Sequence, residues 1–250
     1  MPDELIKAFD SVSLEELDER AALLRRVDNK YAVERDRFAQ LLERLRDDHQ
    51  VLEIDGKRAF AYCTTYFDTP ELRCFVDHLE DRRPRFKART RLYQDTGYCV
   101  FEIKLKGEDG ETDKRQVDYT ADDAERFTDG ARECMVSALT EVGLEAPQEM
   151  APTLHTRFTR ITLAASSGSE RLTCDIGVQL RNPDGETAEM HEGMVLVETK
   201  SEHGESPADR VLADLGLEPI SLSKYRVGMS LVGGGDRAPQ PGSDLFETGH

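Results

Sequence analysis

Positive charge is scarce in this chain. Thirty-three lysines and arginines stand against 50 aspartates and glutamates, a formal net charge of -17 over 250 residues. That balance excludes a general nucleic-acid binder, whose footprint is a net basic surface, and argues against docking on an anionic membrane. Long apolar runs are also missing, and none approaches the roughly 20 residues that span a bilayer. The opening Met-Pro-Asp-Glu-Leu-Ile-Lys-Ala-Phe-Asp lacks a basic segment followed by an apolar one, so no signal peptide is expected and a cytoplasmic location is. The five cysteines (Cys63, Cys74, Cys99, Cys134, Cys174) are scattered singly, which predicts reduced thiols and no zinc site. No Gly-x-x-x-x-Gly-Lys-Ser/Thr loop, Gly-x-Gly-x-x-Gly or Gly-x-Ser-x-Gly elbow is present, and no His-x-x-x-His pair.

Against that background one segment stands out. Residues 84–93 read Pro-Arg-Phe-Lys-Ala-Arg-Thr-Arg-Leu-Tyr. A strand sends alternate side chains to opposite faces. Arg85, Lys87, Arg89 and Arg91 therefore form one row, and Phe86, Ala88, Thr90 and Leu92 the other. Residues 98–106 continue the pattern, with Glu102, Lys104 and Lys106 on one face and Phe101, Ile103 and Leu105 on the other. The Asp95-Thr96-Gly97 turn predicts a hairpin between them, which gathers six cations and one carboxylate on one surface. Like charges repel across strands, and the arginine fork suits bidentate phosphate contacts. The surface reads as an anion site rather than a solvated sheet face.

The pattern recurs more weakly elsewhere. Glu198 and Lys200 alternate in Val195-Leu196-Val197-Glu198-Thr199-Lys200 and echo Glu102-Ile103-Lys104. Arg26, Asp28 and Lys30 alternate near the start. Ser223-Lys224 stands at an expected helix start, where backbone N–H groups favour anions. Carboxylates interleaved with cations suggest a hard divalent ion together with phosphate.

The texture is α+β. Helices are expected over 13–25, opened by the capping-box pattern Ser13-Leu-Glu-Glu, and over 35–47, 70–80, 121–142, 206–215 and 223–232. Residues 30–33 look extended, and strands are expected over 50–54, 58–67, 85–94, 98–106, 112–119, 154–164, 171–180 and 193–200. The Gly- and Pro-rich tail 233–250 reads as disordered.

In order, Arg-Val-Asp-Asn-Lys-Tyr (26–31), Tyr-Phe-Asp-Thr (66–69), Arg-Phe-Lys-Ala-Arg-Thr-Arg-Leu-Tyr (85–93), Phe-Glu-Ile-Lys (101–104), Lys-Arg (114–115), Val-Glu-Thr-Lys (197–200) and Ser-Lys-Tyr (223–225) resemble the VTC (vacuolar transporter chaperone) polyphosphate polymerase domain. That domain belongs to the CYTH-like triphosphate tunnel metalloenzymes. The resemblance spans 26–232, with 1–25 as a helix packed on the domain. It implies an antiparallel closed β-barrel of about eight strands around a cationic tunnel. By resemblance, Lys30, Arg89, Arg91, Lys104, Arg157, Lys200 and Lys224 bind phosphate, with Ser223 beside Lys224 and either Lys114 or Arg115. Arg89, Arg91, Lys104 and Lys224 are the catalytic candidates. Glu198 matches the metal-binding glutamate for Mg²⁺ or Mn²⁺, with Glu102 and Asp28 as looser candidates. Tunnel hydrolases open with Glu-x-Glu-x-Lys where this chain has Arg26, Asp28 and Lys30, which favours the polymerase-like branch. That branch has Tyr where this chain has His155.

The implied activity is a metal-dependent phosphotransferase that builds polyphosphate from a nucleoside triphosphate. A triphosphatase and a non-catalytic polyphosphate-binding module are the alternatives. The implied partners are nucleotide and polyphosphate, with no nucleic acid and no integral membrane segment; a membrane-protein partner leaves no mark in the sequence. On this reading Arg89→Ala leaves the melting temperature nearly unchanged while phosphate transfer collapses.

Overall fold

Apolar residues spaced two apart build the strands of this chain, and apolar residues spaced three and four apart build its helices. The computed structural model describes residues 2–21, 27–108, 110–234 and 237–249. In chain order the elements are α1 (Pro2–Ile6), β1 (Asp10–Val12), α2 (Leu14–Ala21), β2 (Val27–Glu34), α3 (Arg35–Leu45), β3 (His49–Leu52), β4 (Ala59–Asp68), α4 (Arg73–Leu79), β5 (Arg85–Tyr93), β6 (Tyr98–Lys106) and β7 (Thr112–Tyr119). They continue with α5 (Asp129–Glu141), β8 (Ala151–Ala165), β9 (Arg171–Arg181), β10 (Thr187–Met190), β11 (Met194–Ser201), α6 (Pro207–Asp214), α7 (Lys224–Val232) and β12 (Phe246–Thr248). Arg26 and residues 22–25 of the first expected helix lie outside the described residues.

The α+β class holds, but the closed barrel of about eight strands does not. The described residues form 12 strands, and their pairing path ends at β7 on one side and β12 on the other without closing. Nor is every pairing antiparallel, since β1 runs parallel to β3. The tail also departs from its composition. Ser243–Leu245 form a 3₁₀ turn, β12 pairs with β10, and Phe246 is buried. The expected helix 121–142 is interrupted: Ala121–Asp123 is a 3₁₀ turn, and α5 starts afresh at Asp129 with Thr128 as its cap.

The chain divides into two compact units. The first comprises Met1–Phe60, Phe158–Val178 and Met190–Leu222, and the second Ala61–Arg157, Gln179–Glu189 and Ser223–His250. In the first, β11 lies antiparallel between β2 and β9. Its odd positions, Val195 and Val197, join Tyr31, Val33, Leu172 and Cys174 in a core covered by Phe38, Leu41, Leu42 and Leu45 of α3. In the second, β4, β5, β6 and β7 are consecutive antiparallel neighbours. Phe86, Ala88, Phe101, Ile103 and Leu105 are buried, and Phe67, Phe101 and Phe127 meet at centroid distances of 5.6–6.3 Å. Each buried side chain of this size stabilises by about 1.5–3 kcal/mol. The apolar rows form the core, and the opposite rows carry the polar side chains.

Candidate functional site

On the second unit, register decides what the cationic row meets. Lys87 stands opposite Lys104, Arg89 opposite Glu102, and Arg85 opposite Lys106. One strand further on, Lys104 stands opposite Lys114 and Glu102 opposite Gln116. On the other side, Arg89 faces Tyr66 and Arg91 faces Thr64. Residues directly opposite share a face. Arg89, Arg91, Lys104 and Lys114 are therefore brought together on one surface.

Glu102 is the carboxylate at the centre of this surface, and it is 1% exposed. Arg89 Nε donates to its Oε2 at 2.6 Å, Gln116 Nε2 donates to Oε1 at 2.9 Å, and Lys114 Nζ lies 3.7 Å from Oε1. Burial alone would raise this carboxyl, but Arg89, Arg91 and Lys114 hold it well below the usual range. With both oxygens engaged, Glu102 serves as the counter-ion that orients Arg89.

Lys87 sits deeper in the same cluster. Its Nζ is 2.9 Å from His78 Nε2 and donates to Ser223 Oγ at 3.3 Å. Burial, together with Lys104, Arg89, Arg85 and Arg226, pulls Lys87 down to about 7. Burial, together with Lys87, Arg85, Arg226 and Lys106, pushes His78 down to about 3. Burial is the larger cause and the neighbouring cations the smaller, and an anion placed there would offset both. Arg91 Nε is buried without a hydrogen-bond partner among the described residues, and its guanidinium lies over the Tyr62 ring at 5.8 Å.

The motif Tyr66-Phe67-Asp68-Thr69 sets the position of Ser223. Asp68 is fully buried. Its carboxylate accepts from the backbone N–H groups of Cys74 and Phe75 at 2.7 and 2.9 Å, and from Tyr225 OH at 2.5 Å. The Tyr225 ring stacks on Tyr66 at 4.8 Å. This pins the first turn of α7, which Ser223 caps by accepting from Arg226 N. Gly228 lets the helix approach further, because a Cβ there would strike Leu154. Lys224 is the first residue of that turn.

Two expected ligands fall elsewhere. Arg115 stands opposite Ile103, on the far face of the sheet, and pairs with Asp113 at 2.7 Å and Glu141 of α5 at 2.6 Å. Of the Lys114/Arg115 pair, only Lys114 faces the cationic row. Arg157 is exposed, and its charge acts on Cys63, which stands opposite Leu92 away from the row. Its neighbour His155 bonds Thr65 Oγ1 at 3.1 Å and lies 3.7 Å from Glu125. Lys114→Ala is expected to weaken tripolyphosphate binding by about tenfold, the value of one charge-assisted contact. Arg115→Ala should leave binding unchanged and barely move the melting temperature, because its ion pairs are exposed. Titration calorimetry and melting curves on the two variants check this contrast.

The first unit carries a second polar face. Lys30 stands opposite Glu198 and Asp28 opposite Lys200, so opposite charges alternate in both directions. Lys200 Nζ donates to Glu198 Oε1. Burial would raise the Glu198 carboxyl, yet Lys200, Lys30 and Arg160 hold it well below the usual range. Arg160 was missed in the sequence. It forks onto Asp175, Nε to Oδ1 at 2.6 Å and Nη2 to Oδ2 at 2.8 Å, and Asp175 shares the face of Glu198 by register. The signal was present in Thr156-Arg157-Phe158-Thr159-Arg160: two arginines three apart on a strand must point to opposite faces. Behind this face, Asp209 accepts from Tyr31 OH and Thr199 Oγ1 at 2.7 and 2.6 Å, tying α6 to β2 and β11.

Among the described residues no three His, Cys, Asp or Glu side chains gather as a metal site. Glu198, ionised and with one oxygen engaged by Lys200, fits an ion that takes one or two carboxylates and completes its shell with water and phosphate oxygens, as Mg²⁺ does. Asp28 is exposed and by register shares that face.

Lys87 also gives a pH prediction. Its folded value, about 7, lies below the ordinary 10.5, so between them the unfolded chain binds more protons and stability rises with pH across that window. An anion favours the ammonium form and is bound with proton uptake. Tripolyphosphate affinity should therefore fall as pH rises above 7, by at most about tenfold per unit. Lys87→Met should flatten that dependence, as calorimetry in buffers of different ionisation enthalpy would register.

The profile of the VTC domain family matches residues 25–232. No curated protein matches the chain. Among solved structures, a proposed adenylate cyclase of Bacillus halodurans is 14% identical with a TM-score of 0.53, covering 80% of this chain and 94% of its own. A proposed adenylyl cyclase of Hippeastrum, described as having a dominant triphosphatase activity, is 17% identical with a TM-score of 0.52, covering 82% and 95%. At these identities the likenesses speak for the fold alone.

Proposed function

The chain belongs to the VTC domain family, and on that premise we propose that it is a metal-dependent phosphotransferase that lengthens inorganic polyphosphate from a nucleoside triphosphate. The family supports a function on polyphosphate or triphosphate. The observation that carries the finer reading is the register-matched cluster of Lys87, Arg89, Arg91, Lys104 and Lys114 around one pinned carboxylate. Five cations gathered around one carboxylate match a chain of phosphates better than a single carboxylate ligand. Ser223 and Lys224 add a capped helix start to the same unit.

In the proposed reaction, a terminal oxygen of the polyphosphate chain attacks the γ-phosphorus. The bond from γ-phosphorus to the β–γ bridging oxygen breaks, and the nucleoside diphosphate leaves with that oxygen. No protein nucleophile is needed, because such transfers rest on positioning and electrostatic stabilisation. Arg89 and Arg91 hold and neutralise equatorial oxygens, while Lys87, Lys104 and Lys224 spread the remaining charge. Glu198 with Asp28, on the first unit, would hold a Mg²⁺ or Mn²⁺ ion, which would supply charge neutralisation to phosphate oxygens bound to it.

A triphosphatase is the second reading, favoured by the activity described for the Hippeastrum neighbour. Incubation with ATP and Mn²⁺ separates them. A ladder of long chains on a gel supports polymerisation, orthophosphate alone supports hydrolysis, and neither product with any divalent metal defeats both.

A further inference from the structure

The cationic row does not end at Arg91. Two residues on, Tyr93 stands opposite Tyr62 on β4 and opposite Tyr98 on β6, so three tyrosines from three strands share the face of the arginines. Their ring centroids are 4.9 Å apart for Tyr62–Tyr93 and 5.6 Å for Tyr93–Tyr98. Exposure rises outward, from 8% at Tyr62 to 52% at Tyr98, the most exposed large hydrophobic side chain among the described residues. Tyr98 OH donates to Asp118 Oδ1 at 3.3 Å, which fixes the ring's orientation.

Cross-strand aromatic pairs ordinarily stabilise a hairpin. That role accounts for Tyr62 and Tyr93 but leaves the outer Tyr98 ring in water. Four strand residues, about 13 Å, separate Arg89 from Tyr93. That matches the reach from the terminal phosphoryl group to the base in an extended nucleoside triphosphate. We propose that Tyr93 and Tyr98 form a stacking step for the nucleobase of a nucleoside triphosphate whose phosphates lie along Arg91 and Arg89. This rests on the phosphotransferase reading and adds a polarity to it: base toward Tyr98, terminal phosphate toward Lys87. A π-face reads no base edges, so stacking tolerates any base. ATP and GTP should bind within a few-fold of each other.

The test is titration calorimetry of the full chain with ATP and with inorganic tripolyphosphate. Tyr98→Ala should weaken ATP by about tenfold and leave tripolyphosphate unchanged, and Tyr98→Phe, which keeps the ring and loses only the bond to Asp118, should weaken ATP less than Tyr98→Ala does. Equal weakening of both ligands, or no weakening of ATP, overturns the stacking step while leaving the phosphate site standing. If wild type binds neither ligand, the phosphotransferase reading itself has failed. The wild-type chain supplies a second measurement independent of any variant. It has no tryptophan and seven tyrosines, so its emission is tyrosine emission. ATP should quench it and tripolyphosphate should not; equal quenching by both contradicts the proposal.

Discussion

Arg89→Ala is expected to abolish phosphate-chain binding and to lower the melting temperature by about 10 °C. The first effect follows from geometry. Arg89 lies centrally in the row, between Lys87 and Arg91 along the strand, with Tyr66 and Glu102 across it. The second effect reverses what the sequence alone implied. Sequence reasoning treats Arg89 as a ligand-facing charge that the fold can lose without penalty. In the structure it is the principal partner of a carboxylate that is 1% exposed. Removing one member of a buried pair strands the other, at about 3–5 kcal/mol, and each kcal/mol moves the midpoint of a chain this size by about 2–4 °C. The double variant Arg89→Ala/Glu102→Gln should recover most of the stability and none of the binding. Recovery of binding in the double variant would mean that Glu102, not Arg89, controls the site.

Glu198→Gln is expected to abolish the response to divalent metal and to cut turnover on the order of a hundredfold or more, comparable to losing one preorganised electrostatic group. Lys200, Lys30 and Arg160 all hold this carboxylate ionised. The amide cannot balance their charge, so the melting temperature should fall as well. Asp28→Asn, at an exposed position, should have a smaller effect. Mn²⁺ titration followed by electron paramagnetic resonance reads metal binding apart from turnover. Unchanged Mn²⁺ affinity in Glu198→Gln would leave Glu198 as a counter-ion to Lys200 and nothing more. The two glutamates also share a pH signature. Glu102 and Glu198 both have folded values below their unfolded ones, so the stability they contribute is present above about pH 4.5 and is lost only as pH falls well below it.

What could be read from the sequence, and what could not, follows from parity and register. The alternation in 85–91 and 98–106 needs only the two-residue period of a strand, and both rows lie as that period predicts. The facing of Lys114 and Arg115 needs the pairing of Gln116 with Glu102, a tertiary fact that no local pattern carries. Arg157 and Arg160 differ for the same reason: one strand supplies both, and only its neighbours decide which face is polar. His78 reaches Lys87 from α4, the element just before β5, and Arg226 reaches it from α7, far along the chain; neither position carries a local pattern that announces the meeting. Strand count failed where strands were short. β1, β10 and β12, at three or four residues each, are below the length at which a period can be recognised.

The central claim is that the β5–β6 face of the second unit is where a phosphate chain binds. A crystal structure with inorganic tripolyphosphate and Mn²⁺ tests it most directly. The expected result is phosphoryl oxygens within hydrogen-bonding distance of Arg89, Arg91 and Lys104, with Glu102 still bound to Arg89. Tripolyphosphate bound elsewhere on the chain, with these three side chains making no contact to it, would contradict it.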